Sequence, residues 1–249
     1  MAKQSPKLRT VNKSVSAFPV NKFPKDFPFL LGKELIYLLA SKGKSELEGF
    51  DWESIFASCI GAHWNPSNVG LDDVTLGNTA WGAKTVKATK PSIQKKVRLI
   101  SGRNSPIYSF GERIDIKANP STVGSLILDI WNERVSAVRE KFKHLRTVVL
   151  IKSSDLTELV VFEFETIRYD NELFKWEWNK NNNLVGYNKK SGEHKFTWQP
   201  HGSQFTIIED VPEASMVINI KQPEILDKEK ILKALGVDKS WIRVTHKNG

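Results

Sequence analysis

The stretch from Thr122 to Lys143 constrains the fold more than any other. Leu126, Ile127, Ile130, Trp131, Val135 and Val138 recur at helical spacing. The segment therefore predicts a long amphipathic helix with one buried stripe, capped by Ser121 or Thr122. Runs of strand character stand on both sides of it, at Val97–Ile100 before and at Thr147–Lys152 and Glu158–Thr166 after. Two shorter helix patterns come earlier, Phe29–Ser41 and Glu48–Gly61, and a break follows at Asn65-Pro66-Ser67-Asn68. Val69 to Lys90 reads as two strands, Gly70–Leu76 and Thr79–Val86, turning at Gly77-Asn78.

From Phe174 onward the pattern is mostly of period two. Phe174, Trp176 and Trp178 alternate with Lys175 and Glu177, and His194–Trp198 and Gln204–Ile208 follow as strands. A short helix over Asp227–Leu235 and a strand near Trp241–Val244 end the chain. Helices, a hairpin, a long helix and then many strands predict an α/β fold: a mixed β-sheet core flanked by helices, with a β-rich C-terminal half. The alternating tryptophans are expected to pack inside that half; stacking on bases is the less favoured use.

Charge is distributed unevenly. Residues 1–120 hold 18 Lys and Arg against 10 Asp and Glu, whereas residues 121–249 hold 19 against 18. A basic excess confined to one half is the electrostatic footprint of a polyanion-binding surface. Residues 1–28 carry six Lys and Arg, one acid (Asp26) and four prolines, which predicts an extended basic arm ahead of a single domain over 29–249. No segment has the run of apolar residues that spans a bilayer, and the N-terminus lacks a signal-peptide core. Cys59, the sole cysteine, excludes an intramolecular disulfide and fits a reducing, cytoplasmic setting. It is expected to be a buried hydrophobe and not a nucleophile paired with His63.

The segment with the most chemistry is Asp72-Asp73-Val74-Thr75-Leu76-Gly77-Asn78-Thr79-Ala80-Trp81-Gly82-Ala83-Lys84. Cutting a phosphodiester with a hard divalent cation needs carboxylates to hold the metal. It also benefits from a lysine that stabilises the charge of the transition state. An acid at the end of one strand and a lysine on the next can meet at one sheet edge. From Lys84 to Arg103 there are seven basic residues (Lys84, Lys87, Lys90, Lys95, Lys96, Arg98 and Arg103) and no acid. Such a run suits phosphate contacts, and Arg103 and Asn104 suit base edges.

This hairpin resembles the active-site hairpin of PD-(D/E)XK nucleases, and the chain resembles a type II restriction endonuclease over residues of about 50–165. The resemblance implies a restriction-endonuclease-like fold, a Mg2+ cofactor, double-stranded DNA as substrate and a homodimer. It makes Asp73, or Asp72, the metal ligand and Lys84 the catalytic lysine. Two positions depart from the pattern: Leu71 precedes the aspartates where a proline is usual, and Gly82 stands where the second acid belongs. Glu53 on the preceding helix, or Asp129 and Glu133 on the long helix, are candidates to replace it. Glu163 and Glu165 form a further carboxylate pair held in reserve. The rival readings are a DNA-binding regulator that does not cleave and an RNA-binding protein using the C-terminal aromatic strands. Scattered histidines and the lack of GxxxxGK or GxGxxG loops disfavour zinc enzymes, nucleotide hydrolases and dinucleotide oxidoreductases.

Overall fold

A computed structural model describes residues 15–42, 45–65, 70–111, 115 and 119–245. Five helices are described: α1 Phe27–Lys42, α2 Gly49–Ile60, α3 Pro106–Phe110, α4 Pro120–Arg139 and α5 Lys228–Ala234. The strands are β1 His63–Trp64, β2 Val74–Leu76, β3 Thr79–Lys87, β4 Lys96–Arg103, β5 His144–Lys152 and β6 Glu158–Glu165. They continue with β7 Phe174–Trp178, β8 Leu184–Asn188, β9 His194–Gln199, β10 Gln204–Asp210 and β11 Met216–Asn219. None of the described helices is long and apolar enough to cross a membrane.

The strands form two sheets. The first has the order β1-β2-β3-β5-β6-β11 and is mixed, because β3 and β5 run parallel while the other neighbours are antiparallel. A parallel pair needs a long crossover, and the chain between β3 and β5 supplies it with β4, α3 and α4. The second sheet, β4-β10-β9-β8-β7, is antiparallel throughout. The mixed α/β character expected from the sequence is therefore present, with a second sheet in addition.

Period-two alternation decides what each face of the first sheet buries. Trp81, Ala83, Val148, Leu150 and Val161 pack with α1 and α2 on one side. On the other side Ala80 and Leu145 join α4 and the second sheet, while Val149, Ile151 and Phe162 meet Val97 and Leu99 of β4. The tryptophans behave as core residues: Trp176 and Trp198 are buried among Phe174, Phe196 and Phe205. The α4 stripe is Val123, Ile127, Leu128, Trp131, Val135 and Val138; Leu126 and Ile130 lie at its margin. Its N-cap is Asn119, whose side chain accepts from the Ser121 amide, and it ends at Arg139, short of Lys143.

Gly124 lets α4 lie against the second sheet. A Cβ there would stand 2.2 Å from Cδ2 of Trp176. Gly124→Ala is accordingly expected to cost about 1–3 kcal/mol of stability or more by overpacking, measured by urea unfolding. A neutral substitution would mean that α4 and β7 slide apart freely.

Several expectations are corrected by tertiary packing. Residues 15–28 are not a free arm: Phe18 stacks on Trp81, Phe23 on Phe27, and both join the α1–α2 core. Asn21 and Glu163 bond reciprocally, amide to side chain, which fastens this segment to β6. Residues 1–14 lie outside the described residues. The strand expected from Gly70 begins only at Val74, and the strand expected near Trp241–Val244 is a short 3-10 turn over Lys239–Trp241. Strands β1, β8 and β11 carry too few alternating apolar residues to stand out in the sequence.

Candidate functional site

The β2–β3 hairpin places Asp73 and Lys84 together. Asp73 lies just before β2, and its Oδ2 accepts the Ala83 amide at 3.1 Å. The carboxylate thus adds a side-chain bond beyond the last β2–β3 backbone pair, Val74 with Trp81. It is 3% exposed. Burial pushes this carboxyl up from an ordinary 3.8 to about 6; Lys84 and the Ala83 N–H draw it down, while Glu53 and Asp72 push it further up. Lys84 shares the Ala80 and Gly82 face of β3, toward α4 and β4, and its Nζ donates to the Gly70 carbonyl at 3.3 Å. Burial pulls this ammonium below its usual range, against the pull of Asp73 and Glu53.

Glu53 projects from α2, where its Oε2 accepts the Trp64 indole N–H at 3.2 Å. It acts electrostatically on both Asp73 and Lys84. Asp72 is buried beside Asp73. The other two acids proposed as replacements do not join this group. Asp129 is exposed and accepts from Asn171 Nδ2 at 2.8 Å, and Glu133 is exposed on the same helix face. Among the described residues no three His, Cys, Asp or Glu side chains are gathered as a metal cage.

Gly82 has a steric explanation. A Cβ there would come within 3.1 Å of the Gly70 carbonyl oxygen and 3.2 Å of the Leu71 Cα. The backbone of Gly70-Leu71 crosses directly over this position, so any side chain would have to push main chain aside. The same crossing gives Lys84 its carbonyl partner.

Arg134 of α4 is the site residue that sequence reasoning missed. Its Nη1 donates to the Ser101 carbonyl at 2.6 Å and to Asn104 Oδ1 at 3.2 Å. Its charge favours ionised Asp73 and disfavours charged Lys84. The only signal in sequence is one cation on an otherwise mixed helix face, which is not distinctive.

The basic run is only partly brought to this site. Lys87, Lys90, Lys95, Lys96, Arg98 and Arg103 are all exposed. Alternation along β4, however, turns Val97, Leu99 and Ser101 inward and Lys96, Arg98 and Ile100 outward, away from Lys84. Lys96 is paired with Glu193 and Asp210, each at 3.0 Å, and Arg98 donates to Thr197 Oγ1. Asn104 departs from its expected role as a base reader. It is fully buried, donates from Nδ2 to the Ile127 carbonyl at 2.9 Å, and offers its own carbonyl to the Trp198 indole. Its amide is committed inside the protein.

Glu163 and Glu165 likewise serve structure. Arg146 bonds both, Glu163 at 2.9 Å and Glu165 at 3.2 Å, and Glu163 also accepts the Trp81 indole N–H at 2.6 Å. Cys59 is buried, and burial pushes its thiol up to about 12, so no thiolate forms near neutral pH.

The raised Asp73 value has a measurable consequence. The folded chain holds this carboxyl above its unfolded value, so its ionisation costs stability. The favourable contribution is full below the unfolded value and is lost as pH rises through the folded one. In EDTA, wild type is expected to lose on the order of 2–3 kcal/mol more than Asp73→Asn between about pH 4 and pH 7. Urea unfolding across that range measures it; parallel curves would contradict the burial of this charge.

No family model, curated protein or solved structure matches this chain.

Proposed function

We propose that the chain is a Mg2+-dependent endonuclease of the type II restriction class, with a restriction-endonuclease-like core, that cuts double-stranded DNA in the cytoplasm. The observation that carries this reading is the anchoring of the Asp73 carboxylate on the Ala83 amide, one residue from Lys84 on β3, with Glu53 of α2 acting electrostatically on both. Mg2+ is commonly held by one or two carboxylates, with waters and substrate phosphates filling its other positions. Asp73, which burial pushes up to about 6, and Glu53 are hard-oxygen donors of that kind. Asp73 and Glu53 would hold the ion, with Asp72 beside them. When bound, it would supply Lewis-acid charge stabilisation at the phosphate.

The protein's own groups have distinct tasks. Asp73 is anchored by the Ala83 amide, so its free oxygen has a defined direction. Lys84 stands in a partly desolvated position, where a positive charge counts most against the charge that builds on a phosphate under attack. Its bond to the Gly70 carbonyl is long, at 3.3 Å, and is the one it would exchange for a phosphate oxygen. A homodimer is the expected assembly, since two copies related by a two-fold axis match the symmetry of a palindromic duplex.

A second reading, a DNA-binding regulator without cleavage, draws on one observation. The Asp73 carboxylate and the Lys84 ammonium both already have partners inside the protein. Incubation with supercoiled plasmid and Mg2+ separates the two. Discrete linear fragments, absent in EDTA, are expected of the nuclease; retarded but intact plasmid would establish the regulator.

A further inference from the structure

We propose that two copies of the chain join through the open edge of the first sheet, β11 of each pairing antiparallel with β11 of the other about a two-fold axis at Ile218. The proposal names an interface for the two-fold assembly considered above, and it rests on the fold alone and not on DNA cleavage. β11 ends the sheet order, with β6 as its one neighbour among the described residues. Its sequence, Met216-Val217-Ile218-Asn219, holds no proline and no charge, and its pairing with β6 has no bulge. Those are the devices that blunt an edge strand against pairing with another chain.

The backbone decides which groups face outward. The Ile220 amide donates to the Thr157 carbonyl at 2.9 Å, in line with the register that sets Met216 opposite Val161 and Asn219 opposite Glu158. The Glu158 carbonyl instead accepts the Ser153 amide, on the β5 side. Antiparallel partners alternate between residues that exchange both backbone bonds and residues that exchange neither. Met216, Ile218 and Ile220 therefore direct their amides and carbonyls at β6, whereas Val217 and Asn219 turn theirs to the open edge. A second β11 run antiparallel about Ile218 sets Val217 of each copy opposite Asn219 of the other. Both residues of such a pair carry outward groups, so each pair can exchange both its bonds with no change in the strand. The edge is its own complement, as a two-fold interface requires.

The side chains around this edge suit the same occupant. Beside β11, α1 is apolar on more than the side it buries: Leu31, Leu35 and Leu38 face the core, while Phe29 is 72% exposed and Ile36 38%. A helix that is apolar all round belongs in an interior. Phe29, Gly32 and Ile36 recur at helical spacing and line, with Val217, Asn219 and Lys221, a groove of about 450 Å³ along the strand. Pairing about Ile218 keeps both α1 helices on one face of the joined sheet and brings them toward the axis, where each closes the groove of the other copy. Charge agrees with the antiparallel sense. Glu213 stands shortly before β11 and Lys221 shortly after it, both exposed. Antiparallel pairing sets the Lys221 end of each copy beside the Glu213 end of the other, whereas parallel pairing would set like charge against like.

Sedimentation equilibrium of the full chain at micromolar concentration, in EDTA and without DNA, tests the interface. Wild type is expected to be a dimer. Asn219→Pro should weaken it roughly tenfold or more, since proline removes an outward amide that the single copy does not use. Val217→Lys keeps every amide and adds a repelling charge at the edge; it should weaken the dimer likewise and decides the matter where the proline variant does not fold, which circular dichroism checks. Ile218→Cys is expected to cross-link to itself on mild oxidation, because a non-bonded antiparallel pair brings the two Cα atoms to about 4.5 Å. Wild type, whose sole cysteine is buried, should not cross-link. A monomeric wild type would overturn the proposal. So would folded edge variants that dimerise as tightly as wild type, or an Ile218→Cys dimer that does not cross-link. A monomer that still cleaves plasmid would overturn this interface and leave the nuclease. A dimer that the edge variants dissociate but that cleaves nothing would leave the interface standing and remove the nuclease.

Discussion

Replacing Lys84 by alanine is expected to lower plasmid cleavage by two to three orders of magnitude or more while duplex binding in EDTA changes little. The magnitude follows from what a single preorganised charge contributes at a desolvated phosphoryl centre, about 10²–10³ in rate. Binding is spared because affinity for DNA is spread over many exposed cations, whereas Lys84 faces inward between β3 and α4. Among the described residues its one bond is to the Gly70 carbonyl, which water can replace, so the fold should survive. Asp73→Asn should fall as far and should also lose its response to Mg2+ concentration. The informative comparison is the two variants at saturating Mg2+: both inactive supports the site, whereas full activity of Lys84→Ala would remove it.

The largest effect on stability is expected from Arg146→Met, a loss of about 3–5 kcal/mol at neutral pH. Arg146 is 2% exposed and Glu163 wholly buried, and their 2.9 Å pair is the centre of a network with Trp81, Asn21, Ser16 and Glu165. Removing the guanidinium leaves a carboxylate in the core with two neutral donors and no countercharge. Burial already pushes Glu163 upward, held in check by Trp81 and Arg146. Without Arg146 it should titrate higher still, so the variant should regain stability as pH falls. Urea unfolding at neutral and acidic pH measures both parts. Because Ser16 and Asn21 share the network, limited proteolysis of the variant should begin near residues 15–28. A variant as stable as wild type would show that the ion pair is replaceable by packing alone.

How much was legible in the sequence differs by element. The hairpin at Gly77-Asn78 and the α4 stripe are local patterns, set by turn chemistry and by a repeat of 3.6 residues, and both appear within a few residues of where they were expected. Asp73 and Lys84 were legible for the same reason: a tight hairpin brings positions eleven apart in sequence onto adjacent strands. The N-terminal segment was misread because its prolines and lysines mark an extended chain, and nothing local reveals that Phe18 and Phe23 have a pocket waiting on α1, α2 and β3. Asn104 was misread because polarity and position in a loop say nothing of a carbonyl, an indole and a guanidinium arriving from three other elements.

What the chain determined by itself, then, is the hairpin, the long helix, the basic character of residues 74–111 and the pair of chemical groups at 73 and 84. These depend on spacing and charge, which need no partner element. Only the tertiary structure decided that β4 leaves the first sheet for β10, that its cations face away from Lys84, that Gly70-Leu71 occupies the space over Gly82, and that Arg134 reaches the site. Each of these is a contact between segments far apart in sequence, and such contacts follow from how whole layers pack and not from any local pattern.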